Sequence, residues 1–285
     1  MRNIKYFALL PMFLLSSCGG ENLGRKITPN EASQRLYEIE RYDIESIPAF
    51  RLSCDVSINM NNGMMSYNGT GKLLLEANRY GEGHGKMQVN INGGSYGNMN
   101  ETLEGYTVKN YEGYRSVTYL KLTSNMYNTN QTGVFVNDQY FDDFANSRNS
   151  SFVYEYVDVM ENPFYYGAMM YPSPEAFFEI FTESSYSSGF DVSSQFFSNG
   201  MGSLAVKASV RRNGRQTNYG DYDYDNENEL QSGEVTVVYT NYVLTKLSLT
   251  ETTTTGSKGT VKMDISYPQN LSFKLPSDWK RFIEY

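Results

Sequence analysis

Histidine, cysteine and tryptophan are scarce in this chain of 285 residues, which has one histidine, two cysteines and one tryptophan. A Ser-His-Asp site would have to use His84, and zinc sites with several histidine or cysteine ligands are excluded by number. Basic residues are also in the minority, with 24 lysines and arginines against 32 acidic residues and a formal net charge of -8. An acidic chain repels phosphate backbones, so we expect no nucleic-acid partner.

No apolar run of about 18 residues is present, so a membrane-spanning helix is not expected. The N-terminus instead has basic residues at Arg2 and Lys5, followed by a ten-residue apolar stretch from Tyr6 to Leu15. This arrangement is typical of a signal peptide. The next residues, Leu15-Ser16-Ser17-Cys18, resemble the bacterial lipobox, which has an aliphatic residue, two small residues and a cysteine. An ordinary secretory signal with an incidental cysteine is the alternative.

The lipobox resemblance implies that residues 1–17 are a lipoprotein signal peptide and that Cys18 carries a diacylglycerol as the first mature residue. Residues 18–27 are then a lipidated tether, and removal of Arg2 and Lys5 takes the net charge from -8 to about -10. We expect an extracytoplasmic protein, lipid-anchored to the bacterial cell membrane or outer membrane. Cys54 has no disulfide partner once Cys18 is acylated, and we interpret it as a small core residue rather than a reactive thiol.

The first helix and the clearest strand follow the tether. Thr28-Pro29-Asn30-Glu31 predicts a helix start with a capping box, and apolar residues recur at helical spacing until an expected end near Tyr42–Glu45. From Phe50 to Met60 apolar and polar residues alternate with period two, which predicts a strand with one buried and one wet face. Leu52, Val56 and Ile58 are on the apolar side of that strand.

Further alternating segments predict a mainly β (α+β) fold: a single curved antiparallel sheet or half-barrel in one domain, residues 28–285, with an N-terminal helix and a short mid-chain helix. The mid-chain helix is predicted to start at Ser173-Pro174 and to include Phe177, Phe178 and Phe181. Long loops rich in Gly, Asn, Ser and Tyr are predicted at 93–101, 124–131, 142–150 and 183–203.

Few residues are candidates for chemistry. Carboxylates alternate over 221–229 like the start of a calcium loop, but the glycine and the final glutamate of that loop are missing, so we favour a solvated acidic hairpin tip. His84 lies between Gly83 and Gly85, which indicates a turn, and no nucleophile motif accompanies it. Asn68-Gly69-Thr70 is likewise interpreted as a polar turn. No metal site and no cofactor are predicted.

The closing segment Gly233–Pro276 carries a family resemblance. Residues 235–247 lead into a Thr-rich strand, and Val261–Tyr267 leads to Phe273-Lys274-Leu275-Pro276. With the N-terminal helix and mid-chain insertion, this pattern resembles the LolA/LolB-type lipoprotein carriers and the lipidated LppX/LprG-type carriers. The resemblance implies a sheet curved around helices that enclose an apolar cavity for acyl chains, without catalytic residues. The cavity candidates are Leu52, Val56, Ile58, Phe177, Phe178 and Phe181.

Three classes of function remain. The first is a membrane-anchored, non-enzymatic carrier or chaperone that binds a lipid or lipopeptide in an apolar cavity. The second is a surface lipoprotein that binds sugars or proteins through its Tyr/Asn-rich loops. An envelope hydrolase is the least favoured class, because His84 is the only histidine.

Overall fold

The computed structural model describes residues 23–42, 46–61, 66–93, 97–125, 129–137, 139–142, 190–212 and 230–283. Within these residues the chain forms one long helix, α1 (Pro29–Glu40), a short 3-10 helix (Trp279–Phe282) and thirteen strands. The strands are β1 (Arg25–Ile27), β2 (Ala49–Asn61), β3 (Ser66–Asn78), β4 (Gly83–Gly93), β5 (Asn98–Tyr111), β6 (Tyr114–Ser124), β7 (Thr129–Val136), β8 (Gln139–Asp142), β9 (Phe190–Ser198), β10 (Leu204–Arg212), β11 (Leu230–Thr240), β12 (Val243–Thr253) and β13 (Lys258–Ser266).

All thirteen strands belong to one antiparallel sheet, which is curved but not closed. Its order is β1-β9-β10-β11-β12-β13-β2-β3-β4-β5-β6-β7-β8, so two meanders, β9–β13 and β2–β8, meet where β13 pairs with β2. The predicted fold class, a mainly β protein with a single curved antiparallel sheet and an N-terminal helix, is therefore confirmed. The predicted mid-chain helix lies outside the described residues.

Helix α1 begins as the sequence predicts. The Thr28 side chain accepts a hydrogen bond from the Glu31 backbone nitrogen at 3.3 Å, and the Glu31 carboxylate accepts one from the Thr28 backbone nitrogen at 2.9 Å. This reciprocal pair satisfies two of the donors that a helix start leaves open. The helix ends at Glu40, earlier than the predicted Tyr42–Glu45, because Arg41 already acts as its C-cap.

The two faces of the sheet are covered by different parts of the chain. The buried side chains of α1, which are Ala32, Leu36 and Ile39, form one core with Leu52 and its neighbours on the first face. On the opposite face, the C-terminal segment packs Leu275 and Trp279 against strands β5 to β7. The sheet therefore has a large core under α1 and a smaller one under the C-terminus.

Several predicted loops and turns are strands in the structure. The predicted loop 183–203 contains β9, and the predicted turn Asn68-Gly69-Thr70 lies within β3. The predicted turn at His84 lies in β4, and the predicted tether 18–27 ends earlier than expected because Arg25–Ile27 pairs with β9 as β1. Asn and Gly are poor strand formers locally, but in β3, β4 and β9 pairing with strands on both sides overrides that weak preference, whereas β1 is an edge strand held by β9 alone.

Two further loop boundaries shift for the same reason. Strand β5 begins at Asn98, inside the predicted loop 93–101, and β7 begins at Thr129, inside the predicted loop 124–131. The predicted loop 142–150 lies outside the described residues, apart from the last residue of β8.

Candidate functional site

The face of the sheet that packs on α1 is the apolar face, and it contains Leu52, Cys54, Val56 and Ile58 of β2. Burial falls along this strand from Leu52 as far as Ile58, and the following residue on that face, Met60, is again half-buried. Leu52 is 2% exposed under α1, Val56 is partly buried, and Ile58 is 41% exposed. Of the predicted cavity residues, the structure therefore brings Leu52 and Val56 into the core and its margin, and it leaves Ile58 open.

The apolar face continues beyond the helix as two rows of residues that are in register across the strands. The row of Val56 contains Val261, Leu249 and Val235 on successive strands to one side. Four adjacent strands at about 4.8 Å spacing make this row about 14 Å wide. Leu249 is 38% exposed and Val56, Val261 and Val235 are half-buried. We call the rows of Val56 and Ile58 the open rows.

Ile58 is set apart by glycines on both sides. It pairs with Gly69 of β3 and with Gly259 of β13, so neither neighbouring strand places a side chain beside it. A Cβ at Gly69 would have no atom nearer than 3.9 Å, whereas one at Gly259 would come within 2.8 Å of the Glu251 carboxylate. The space is thus open on the Gly69 side and bordered by a carboxylate on the Gly259 side.

The row of Val56 has the chemistry of a surface for an alkyl chain, whereas the row of Ile58 also contains the exposed Glu251, which pairs with Gly259. Apolar side chains half out of water gain about 25 cal/mol for each Å² that a guest covers, and groups without polar atoms impose no direction on that guest. A flat apolar strip with glycine gaps thus accommodates methylene chains without selecting a particular head group. Contiguous apolar patches of this kind mark binding sites more often than isolated exposed leucines do.

A polar cluster lies on the opposite face and centres on His84. The His84 ring nitrogens are 3.3 Å from a Glu76 oxygen and 3.1 Å from a Glu104 oxygen. The ring stacks on Tyr106 with centroids 4.4 Å apart. Arg51 donates to Glu76 at 2.5 Å, and the Tyr106 hydroxyl donates to Glu104 at 2.8 Å. Cross-strand pairing aligns Arg51, Glu76, His84 and Tyr106 on adjacent strands.

The charged and polar groups of this cluster are hydrogen-bonded to one another, and their pKa values reflect these bonds. Burial acts to raise the pKa of the Glu104 carboxyl, but the hydrogen bonds from Tyr106 and His84 and the charge of Lys86 outweigh it, so that pKa lies below its usual value. Burial, with the hydrogen bond to Glu104, raises the pKa of Tyr106 to about 12. Because these bonded side chains lie on adjacent strands in register, the cluster forms a cross-strand ladder.

This cluster was not predicted from the sequence, because the glycines on both sides of His84 indicated a turn. Its signal was present in the alternation of His84, Lys86 and Gln88 with Gly83, Gly85 and Met87, which has the period of a strand. The two glycines concealed that period, since a glycine position has no side chain to identify its face.

Cys54 is a core residue, as the sequence predicts. The thiol is buried, and burial, with a smaller effect from the Asp55 charge, raises its pKa. A raised thiol pKa disfavours the thiolate that reacts with electrophiles or metals. Among the described residues, no group of three His, Cys, Asp or Glu side chains is arranged to hold a metal ion.

Other predicted site residues lie outside the described part of the chain. These are Cys18, Phe177, Phe178 and Phe181, together with the acidic stretch 221–229. None of the helices in the described ranges has the length and apolarity needed to cross a bilayer.

A pocket of about 440 Å³ lies at one end of the sheet, between the end of α1 and the β11–β12 turn. Tyr42, Ile47, Pro48, Val243 and Tyr267 provide its apolar lining, and Asn241, Thr245 and Gln269 contribute polar groups. It contains none of the predicted cavity residues, although Ile265 in its wall is the cross-strand partner of Leu52.

Comparison with known proteins gives structural neighbours only. No protein-family model matches the chain, and no curated protein is similar to it. One solved structure, a β-barrel-like protein with a domain of unknown function DUF1849 from Brucella abortus, is 6% identical, with 78% of this chain and 98% of that chain covered and a TM-score of 0.26. A DUF1329 family protein from Desulfovibrio piger is 10% identical, with 85% and 95% covered and a TM-score of 0.18.

Proposed function

We propose that this protein is a lipid-anchored, non-enzymatic binding protein of the bacterial cell envelope that holds the acyl chains of a lipid or lipopeptide on the open rows. One observation carries the proposal: the apolar face extends past its helical cover to Ile58 and Leu249, which remain 41% and 38% exposed. If the apolar face served only to form a core, its apolar side chains would end where the packed elements that cover the face end.

Two further features support the proposal. The Leu15–Cys18 motif supports the proposed localisation, in which a diacylglycerol on Cys18, the mature N-terminus, anchors the protein in the cell membrane or outer membrane. The His84 ladder favours a non-enzymatic role, because its carboxylates, imidazole and phenol are bonded to one another.

The direct test uses gently extracted protein and a fluorescent fatty acid. Native mass spectrometry is expected to find a co-purifying lipid, and the probe is expected to bind. Ile58→Asp is expected to weaken probe binding about tenfold, because it removes apolar contact and places a charge in the strip. Asn59→Asp is the matched control, since the next residue along β2 points to the opposite face. Absence of probe binding, or equal losses in the two variants, would contradict the carrier function.

A second candidate, a surface protein that binds sugars or proteins, is favoured by one specific observation. Asn59, Asn68, Asn92 and Asn98 are cross-strand partners on four adjacent strands, and all four are exposed on the polar face. Amide side chains both donate and accept hydrogen bonds, which suits sugar hydroxyls. Glycan-array binding that is lost in Asn68→Ala with Asn92→Ala, but retained in Ile58→Asp, would support this candidate over the carrier.

A further inference from the structure

The most exposed large apolar side chains of the described residues gather at one end of the sheet. We call it the anchor end and define it by the turns 79–82, 199–203 and 241–242 and the C-terminus of α1. Met201 is 73% exposed, Tyr80 is 69% exposed and Tyr37 is 59% exposed. Tyr42 stacks on Tyr242 with ring centroids 5.3 Å apart, which places the end of α1 at the β11–β12 turn.

Cationic groups lie over the tyrosines of this end. The Arg41 guanidinium is 5.2 Å from the Tyr37 ring centroid, and that of Arg79 is 5.5 Å from the Tyr80 ring centroid. Tyrosine and arginine together are the side chains that suit a membrane surface, because the ring sits at head-group level while the guanidinium meets lipid phosphates.

Two carboxylates at this end of the sheet are bonded within the protein. Glu38 is paired with Arg35 at 2.7 Å and accepts a hydrogen bond from the Gly202 backbone at 3.2 Å. Glu112, in the neighbouring turn between β5 and β6, is paired with Lys280 at 2.5 Å. The negative charge of the chain as a whole is thus locally offset where Arg41 and Arg79 lie, which lowers the repulsion from an anionic lipid surface.

The N-terminal strand starts at the same end. Arg25 of β1 pairs with Ser198, the last residue of β9, so Gly24 lies beside the turn 199–203. The described chain begins at Leu23, five residues after Cys18, and five residues span at most about 18 Å. A lipid on Cys18 would therefore hold the anchor end within that distance of the bilayer.

We propose that the anchor end rests on the bilayer that holds lipidated Cys18, with Tyr37, Tyr80 and Met201 at the lipid interface. The inference rests on the lipid attachment in the proposed function, and it adds the orientation of the sheet relative to the membrane. Ile58 lies nine residues along β2 from Ala49 at the anchor end, or about 30 Å away. The open rows then face away from the membrane, and the 440 Å³ pocket bounded by Tyr42, Pro48 and Tyr267 lies beside it.

The experiment places a fluorophore at either end of the sheet in the full lipidated protein. Met201→Cys labels the anchor end, and Asn59→Cys labels the distant end of β2. Labelling is selective because Cys54 is buried and a lipidated Cys18 has no free thiol. In vesicles with nitroxide-labelled phospholipids, we expect quenching about threefold stronger at position 201, since interfacial groups lie within about 5–10 Å of the acyl boundary. Equal quenching, or stronger quenching at position 59, would overturn the orientation.

Charge-reversal variants distinguish direct contact of the anchor end with the bilayer from simple tethering of the protein through Cys18. Arg41→Glu with Arg79→Glu is expected to reduce quenching at position 201 in vesicles containing anionic lipid. Lys72→Glu with Lys262→Glu, two exposed positions in mid-sheet, is the matched control and is expected to leave it unchanged. Equal effects of the two pairs would contradict docking. The mass of the N-terminal peptide distinguishes failure of this inference from failure of the proposed function. An unlipidated Cys18 would overturn both the proposed lipid anchor and this inference. A lipidated Cys18 with equal quenching at the two positions would overturn this inference alone.

Discussion

Thr28 and Glu31 are the residues whose roles follow most directly from their chemistry. Each accepts a hydrogen bond from the other's backbone nitrogen, and Arg25 adds a 3.1 Å ion pair to the Glu31 carboxylate. The hydrogen bond from the Thr28 backbone, with the Arg25 side chain, lowers the pKa of Glu31. Such local effects depend on three or four consecutive residues, which is why they can be identified before the fold is known.

Replacing Thr28 with Ala is expected to lower the free energy of unfolding by about 1 kcal/mol, because one helix-start donor loses its acceptor. Urea unfolding followed by circular dichroism measures the change. Thr28→Ser retains the hydroxyl and is the control, expected to cost much less. Equal losses in the two variants would show that the hydroxyl contributes nothing.

Glu104 gives a pH dependence whose sign follows from its lowered pKa. The folded protein binds fewer protons at this carboxyl than the unfolded chain does, so its stabilisation is present above the ordinary value of 4.5 and is lost as pH falls through the lowered pKa. Urea unfolding of the wild type is expected to weaken more between about pH 6 and pH 3 than that of Glu104→Gln. A Glu104→Gln protein with the same acid dependence as the wild type would contradict this.

Strand β2 is the element in which the sheet changes from core to surface. Its first half contributes Phe50, Leu52 and Cys54 to the core that α1 also joins, and Val56 lies at the margin of that core. Leu52 is 2% exposed and Ile58 is 41% exposed, although both are on the same face, six residues apart. Helix α1 packs chiefly on β9 and β10, so the second half of β2 lies outside its cover.

Leu52→Ala is therefore expected to affect mainly the stability of the protein, whereas Ile58→Ala is expected to affect mainly ligand binding. Leu52→Ala is expected to lower the free energy of unfolding by about 2–5 kcal/mol, because it leaves a cavity in a closed core. Ile58→Ala is expected to cost well under half as much, because its site is open to water, and to weaken fatty-acid probe binding instead. Unfolding and probe titrations of both variants provide the comparison, and a large stability loss at Ile58 with unchanged probe binding would assign that residue to the core.

At the scale of the whole molecule, one sheet is covered on two sides by segments from the two ends of the chain. The helix that precedes β2 covers the apolar face, and the segment after β13 covers the opposite face of β5 to β7. Trp279 is 3% exposed there, and its ring packs edge-to-face against Tyr111 and Tyr114, with ring centroids 6.0 and 5.7 Å apart. The C-terminus thus stabilises strands that are distant from it in sequence.

Trp279→Ala is expected to lower the free energy of unfolding by about 3–5 kcal/mol, because it empties the centre of the second core. Probe binding to the folded protein is expected to persist, since Trp279 lies on the face opposite the open rows. Trp279→Phe, which keeps an aromatic ring, is the control and is expected to cost less. Loss of probe binding in a variant that remains folded would show that the two faces are coupled.

Features that depend on neighbours along the chain follow from the amino-acid sequence. The capping box at Thr28, the alternation from Phe50 to Met60 and the burial of Cys54 follow from the local spacing of polar and apolar residues, and the structure confirms them. The mainly β class with one antiparallel sheet also follows from these periods, because strands with one apolar face must pair and be covered.

Features that depend on partners distant in sequence are established by the fold. Strand β9, the strand around Asn68-Gly69-Thr70 and the His84 ladder exist because neighbouring strands pair with residues that are weak strand formers on their own. The exposure of Ile58 depends on which parts of the sheet other segments of the chain cover, whereas alternation alone assigns it the same burial as Leu52. A period of two specifies which face a side chain joins, whereas the length and placement of the covering segment specify whether that face is closed.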